Sequence, residues 1–241
     1  MELQGKKVLV VGSGISGIGA VEALCHAEAL PVLFDGNDQL SLEDVRSKLK
    51  PGMEAEIVIG ILPKETAESI ELVVLSPGVP TDTEFVEQFR ERGIRIWGEI
   101  ELAYELGKGR VIGITGTNGK TTTTTLVGEI MAAHFPDVDV VGNIGNPYTL
   151  TALDSTDETV TVAEISSFQL ETVEKFKPDV SAILNITPDH LNRHHTMENY
   201  AAAKMAVTRN QTKDQVCVLN YENSYTREFG ERCPARVVWF S

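Results

Sequence analysis

Two glycine-rich turns constrain this chain more than any other feature, because each follows a short β-branched run and opens a helix-like stretch. The first is Gly12-Ser13-Gly14-Ile15-Ser16-Gly17, after Val8 to Val11; the second is Gly116-Thr117-Asn118-Gly119-Lys120-Thr121-Thr122, after Val111 to Ile114. A strand that passes through a tight turn into a helix is the repeating unit of parallel sheets, since parallel neighbours need a crossover. Further β-branched or apolar runs recur at intervals that suit alternating helices: Pro31 to Phe34, Ile57 to Gly60, Leu72 to Leu75 and Ile94 to Trp97. After the second turn come Val138 to Val141, Thr159 to Ile165, Val180 to Leu184, Gln215 to Leu219 and Arg236 to Phe240. The pattern predicts an α/β protein with two parallel sheets.

At 241 residues the chain exceeds the usual single-domain length, so two domains are expected. Residues 98 to 110 read as a short helix with a glycine-containing exit, which puts the boundary between 1–97 and 98–241. The second domain stops on an apolar strand and is expected to be incomplete. Lys and Arg total 21 against 35 Asp and Glu, a net charge of −14 with no basic run, which excludes nucleic acid as a partner. The apolar run after Lys6-Lys7 is broken by glycines too soon for a signal peptide, and no segment is long and apolar enough to cross a membrane, so a cytoplasmic protein is expected. Cys25, Cys217 and Cys233 are odd in number and widely spaced, and read as reduced thiols. The Asn185 and Asn210 sequons read as chance matches.

The first turn is a dinucleotide fingerprint in its expected context, with Asp35 closing the next strand 18 residues after Gly17. Small residues let phosphates approach the backbone, the helix start offers free N–H groups, and the carboxylate can take a ribose hydroxyl. Alone, this turn favours NAD, or glycines that merely permit close packing. The second turn is a phosphate-binding loop by chemistry: amides wrap the phosphates, Lys120 places a point charge on the β and γ groups, and the Thr121 hydroxyl can ligate magnesium. Ile114 stands where the common GTPase spacing has glycine, so ordinary GTPases fit poorly. Thr122 and Thr123 go with the loop; the threonines beyond read as helix packing.

The compact form Thr115-Gly116-Thr117-Asn118-Gly119-Lys120-Thr121 resembles the ATP loop of Mur ligases and their folylpolyglutamate synthetase relatives. Val141-Gly142-Asn143-Ile144-Gly145, Glu164 to Leu170 (EISSFQL), Ile183 to Leu191 (ILNITPDHL) and Ala203-Lys204 follow in that family's order. Asn192 departs from the pattern, where many relatives carry Asp. The resemblance covers essentially the whole chain and implies a Rossmann-like UDP-substrate domain followed by a P-loop ATPase-like domain. It is strongest to the branch that joins D-glutamate to UDP-N-acetylmuramoyl-L-alanine through an acyl phosphate.

The resemblance further implies that Lys120, His190 and Lys204 are catalytic, that Gly116 through Thr123 bind ATP, and that Thr121, Glu164, His190 and Lys204 hold Mg2+, Lys204 as a carbamate. Ile15, Ser16, Asp35, Gly78 and Asn143 are implied to bind the UDP substrate. Residue by residue, blander roles stay open: a loop histidine at His190, a solvated lysine at Lys204, a plain turn at Ser76-Pro77-Gly78. Histidine is also an unusual magnesium ligand. The other histidines, His26, His134, His194 and His195, read as surface or packing residues. The family carries a third, amino-acid-binding domain with no counterpart here, so the chain, acting as a monomer, is expected to bind ligands without making the peptide bond. Another Mur ligase, a folylpolyglutamate synthetase relative, a non-catalytic nucleotide-binding fragment or an NAD-dependent oxidoreductase are the competing readings.

Overall fold

The computed structural model describes residues 3–143 and 146–241, so Ile144 and Gly145 of the Asn143 motif lie outside the described residues. The chain forms two all-parallel sheets. The first contains β1 (Lys7–Val11), β2 (Leu30–Asp35), β3 (Glu56–Ile59), β4 (Leu72–Leu75) and β5 (Arg95–Gly98), ordered β3-β2-β1-β4-β5. Between and after them run α1 (Ile15–His26), α2 (Leu42–Ser47), α3 (Lys64–Glu68), α4 (Glu84–Glu91) and α5 (Glu99–Leu106). The second sheet contains β6 (Arg110–Thr115), β7 (Val138–Gly142), β8 (Val160–Glu164), β9 (Val180–Ile183), β10 (Val216–Asn220) and β11 (Arg236–Phe240), ordered β11-β10-β9-β6-β8-β7. Its helices are α6 (Lys120–Ala132), α7 (Tyr148–Asp154), α8 (Ser167–Leu170), α9 (Leu191–His194), α10 (Met197–Met205) and α11 (Ser224–Gly230).

Every β-branched run singled out in the sequence is a strand, with ends displaced by at most one residue. The central strands are largely apolar because helices cover both faces of a parallel sheet; β4 and β8 are buried at every position, including Thr161 and Glu164 of β8. Buried clusters lie on each side of the first sheet, one around Val8, Leu24 and Trp97, the other around Leu9, Phe34 and Phe89. Strand order reverses at β1 in the first sheet and at β6 in the second. Ligands of open α/β sheets bind beside such reversals, at the carboxyl ends of the strands. Both glycine turns lie there.

The two sheets are joined through α5. Glu101 on this helix is fully buried and accepts the backbone N–H groups of Glu174 (2.9 Å), Lys175 (2.7 Å) and Phe176 (3.1 Å). Trp97 donates its indole N–H to Glu174 at 2.8 Å, and Glu99 accepts from the Tyr148 amide at 3.1 Å. On α1, Gly19 lies so close to α7 that a Cβ would stand 2.9 Å from the Thr149 hydroxyl.

The fingerprint glycines differ in what they do for the fold. A Cβ on Gly17 would collide with the Gly12 carbonyl oxygen, whereas one on Gly14 would meet nothing within 4 Å. Gly17→Ala is therefore expected to destabilise the protein by about 2–4 kcal/mol and Gly14→Ala by less than about 1 kcal/mol. Urea denaturation of the two variants checks the difference, and equal losses would contradict it.

Candidate functional site

The loop from β6 to α6 needs two unusual backbone conformations. Gly116 has φ +152° and Gly119 φ +82°, the latter as the residue before the first helical turn. A Cβ on Gly116 would press on Leu184 Cβ at 3.0 Å, so a side chain has neither the conformation nor the room. From outside the loop, the exit of β9 holds it in place. Thr117 N donates to Asn185 O (2.9 Å), Asn118 N to Asn185 Oδ1 (2.8 Å), and Asn185 Nδ2 back to Asn118 O (2.9 Å). The Thr117 hydroxyl donates to Thr187 O (3.2 Å), accepts from Thr187 N (3.0 Å) and lies 3.1 Å from the Tyr200 hydroxyl. Lys120 Nζ donates to Thr117 O at 3.0 Å. The loop carbonyls thus face protein donors, while the amides that open α6 have no intrahelical acceptor and are free for an anion. Thr121 and Thr122 are exposed at this opening; Thr124, one turn on, is buried and packs.

Lys204, expected on α10, is 2 % exposed and donates to Gly116 O at 2.7 Å, with its ammonium 4.7 Å from the centre of the Tyr200 ring. The burial pushes its pKa down to about 7, helped by the Lys120 charge and opposed by Asp189. This is not the solvated lysine that pattern alone suggests. Glu164 ends β8 opposite Ile114 and is 1 % exposed. Its Oε1 accepts from Asn143 Nδ2 at 2.9 Å, while its Oε2 is buried without a hydrogen-bond partner. An orphaned carboxylate oxygen beside a phosphate loop fits a hard cation. His190 has φ +51°, precedes α9 and is half exposed, with Nε2 3.5 Å from Asp189 Oδ2 and its ring 4.9 Å from that of Phe168. Among the described residues no three His, Cys, Asp or Glu side chains cluster as metal ligands.

In the first sheet, Asp35 Oδ2 accepts from Ser13 N (2.9 Å) and Ser13 Oγ (2.6 Å), and Oδ1 from Asn37 N (3.1 Å). Burial acts to raise its pKa, but these hydrogen bonds and the Lys48 charge outweigh it and hold the carboxyl below its ordinary value. Asp35 is thus a fixed anion beside the first turn. Ile15 is 80 % exposed at the start of α1, an apolar surface that the fold itself does not use. Burial raises the pKa of Glu99 despite the opposing influence of the nearby Ser16 side chain and the Tyr148 amide. Gly78 lies in the turn after β4, next to β1.

Several residues that the sequence did not single out hold these parts together. Asn185, Thr187 and Tyr200 lock the β6–α6 loop, and the paired amides of Asn185 and Asn118 were hidden within the quoted motif. His194 is a packing residue, as expected, buried with Nε2 2.9 Å from Ser167 Oγ. Arg193, beside it, crosses to the first sheet, which no local pattern signals. Cys217 and Cys233 are buried and free, and despite their separation in sequence each thiol lies near enough to shift the pKa of the other, Cys217 upward and Cys233 downward.

Residues 6–98 match the Mur ligase MurD-like N-terminal domain, and residues 114–241 match the Mur ligase middle domain. The UDP-N-acetylmuramoylalanine–D-glutamate ligases of Lachnoclostridium phytofermentans and Lachnospira eligens are 55% and 56% identical over 241 residues, which is 100% of this chain and 53% of each relative. The chain spans about half the length of the curated relatives it matches. Among solved structures, UDP-N-acetylmuramate:L-alanyl-gamma-D-glutamyl-meso-diaminopimelate ligase from Neisseria meningitides aligns with a TM-score of 0.61 at 15% identity, covering 98% of this chain and 78% of that one. The MurF ligase of Thermotoga maritima in complex with ADP aligns with a TM-score of 0.50 at 18% identity, covering 99% and 48%. These distant structures share the fold. The two domain matches, which between them span both sheets, remove the NAD-dependent oxidoreductase as a reading: the chain belongs to the Mur ligase family.

Proposed function

We propose that this chain forms the UDP-substrate and ATP domains, 1–97 and 98–241, of a cytoplasmic ligase that adds D-glutamate to UDP-N-acetylmuramoyl-L-alanine. The observation that carries this reading is the β6–α6 loop, whose carbonyls face the protein and whose first helical amides face outward beside Lys120. The identity to D-glutamate ligases supports the substrate choice, and the complex of the Thermotoga maritima MurF ligase with ADP supports an adenine nucleotide as a ligand.

In the reaction one anion attacks another: the substrate carboxylate attacks the γ-phosphate and expels ADP, and the amine then attacks the carbonyl of the acyl phosphate and expels inorganic phosphate. Catalysis is then mostly charge neutralisation and positioning. Gly116 through Thr123 cradle the triphosphate, with Lys120 on its outer groups. Thr121 and, at a second position, Glu164, His190 and Lys204 would hold Mg2+, which supplies positive charge between the two anions. Lys204 suits this role once carbamylated. At a pKa of about 7 a useful fraction of its amine is neutral at physiological pH; that nitrogen can add to CO2, release a proton and become an anion. Ile15, Ser16, Asp35, Gly78 and Asn143 bind the UDP substrate, Asp35 as a fixed hydrogen-bond acceptor. The chain acts as a monomer, and the amino acid is bound by the remainder of the ligase.

Three outcomes test this reading. By calorimetry, Lys120→Ala should weaken Mg-ATP binding by roughly ten- to a hundredfold while leaving UDP-N-acetylmuramoyl-L-alanine binding unchanged. Unaltered ATP affinity in that variant contradicts the loop assignment. Asp35→Ala should do the reverse, costing the UDP ligand roughly tenfold and ATP nothing. In a chain extended to the length of the relatives, Lys204→Ala should abolish D-glutamate ligation and regain part of it with added formate; full activity without any additive refutes the carbamate.

A further inference from the structure

The helical turn that carries His190 also carries Arg193, and that side chain reaches across to the first sheet. Its Nη1 donates to Pro77 O at 3.4 Å and its Nη2 to Val79 O at 3.1 Å, the two carbonyls that flank Gly78. Nη2 also donates to Glu171 Oε2 at 2.6 Å, an oxygen that accepts the Thr81 hydroxyl at 3.2 Å. The guanidinium stands 4.5 Å from the centre of the Phe168 ring, the same ring that lies 4.9 Å from His190. His194 completes the cluster, with Nδ1 3.5 Å from Glu171 Oε1. The Arg193 and Glu171 side chains are only 12 % and 15 % exposed, so solvent screens the pair little.

Two carbonyls and a carboxylate held by one planar group demand a fork of N–H donors in fixed directions, which lysine does not offer. The geometry also links two places that the functional reading assigns to different ligands. Gly78 belongs to the UDP-substrate site, while His190 stands beside the phosphoryl-transfer site and is joined to Arg193 by the Arg193 N to His190 O bond of 3.0 Å. A ligand that shifts the Gly78 turn acts on Arg193 and, through one helical turn and the Phe168 ring, on His190.

We propose that Arg193 is a positioning residue that couples the two sites, so that UDP-substrate binding strengthens Mg-ATP binding and the reverse. The inference rests on the functional reading above and adds to it the path of communication. A purely structural pin would affect stability and leave this linkage untouched.

The test measures Mg-ATP affinity of the chain with and without saturating UDP-N-acetylmuramoyl-L-alanine, for the unsubstituted protein, Arg193→Lys and Glu171→Gln. In the unsubstituted chain the UDP ligand should tighten Mg-ATP binding roughly fivefold or more. Arg193→Lys should reduce that factor below about twofold, with each single-ligand affinity changing less than the factor itself. Glu171→Gln, which keeps the side-chain shape, should give an intermediate value and carries the test if Arg193→Lys fails to fold. Coupling that survives unchanged in the folded variants overturns the proposal, as does its absence in an unsubstituted chain that binds both ligands. If either ligand fails to bind the unsubstituted chain, the functional reading falls, and the proposal with it.

Discussion

A phosphate-binding loop has to turn its amides toward an anion, and this is possible only if its carbonyls are satisfied elsewhere. Here each carbonyl from Gly116 to Gly119 has a partner: Lys204 Nζ on Gly116, Lys120 Nζ on Thr117, Asn185 Nδ2 on Asn118 and Thr123 N on Gly119. Much of the second sheet can be read as the support for this arrangement. Asn220 Nδ2 donates to Leu184 O and Asn223 Nδ2 to Ile186 O, both at 3.0 Å, so the exit of β9 that braces the loop is itself braced from β10 and the start of α11. Backbone groups that would otherwise compete for a ligand are already occupied, and the site is organised by the fold before anything binds.

The same logic explains why a lysine can be buried at this position. Lys204 meets a carbonyl and an aromatic ring, and its exclusion from water, together with the nearby Lys120 charge, favours the neutral amine. Glu164 presents the complementary case, a carboxylate with one oxygen bonded to Asn143 and one left over. The two side chains flank one loop, Glu164 at the end of β8 beside β6 and Lys204 through its bond from α10 to the Gly116 carbonyl.

The fold was legible in the sequence because parallel strands buried on both faces leave continuous β-branched runs, such as Leu72 to Leu75, that turns and polar helices interrupt cleanly. The β6–α6 loop was legible for a related reason: Gly116, Gly119 and Lys120, which give it its backbone turns and its charge, are close in sequence. What stayed hidden depends on tertiary contact. Nothing around Lys204 announces that its helix places it in the interior, since its neighbours Ala201, Ala202 and Ala203 are too small to define an apolar face. The reach of Arg193 to Pro77 and Val79 crosses 116 and 114 residues of sequence. The Cys217 and Cys233 thiols are brought together only by the pairing of β10 with β11 and the path of α11.

Polyphosphate binding at the opening of α6 is the feature on which the proposed function turns. A crystal of the chain grown with Mg2+ and a non-hydrolysable ATP analogue measures it directly. Phosphate oxygens should lie within hydrogen-bonding distance of the backbone amides from Gly119 to Thr122 and of Lys120 Nζ, with the carbonyl partners of the loop unchanged. Polyphosphate bound elsewhere, with those amides turned away or covered by protein, would contradict it.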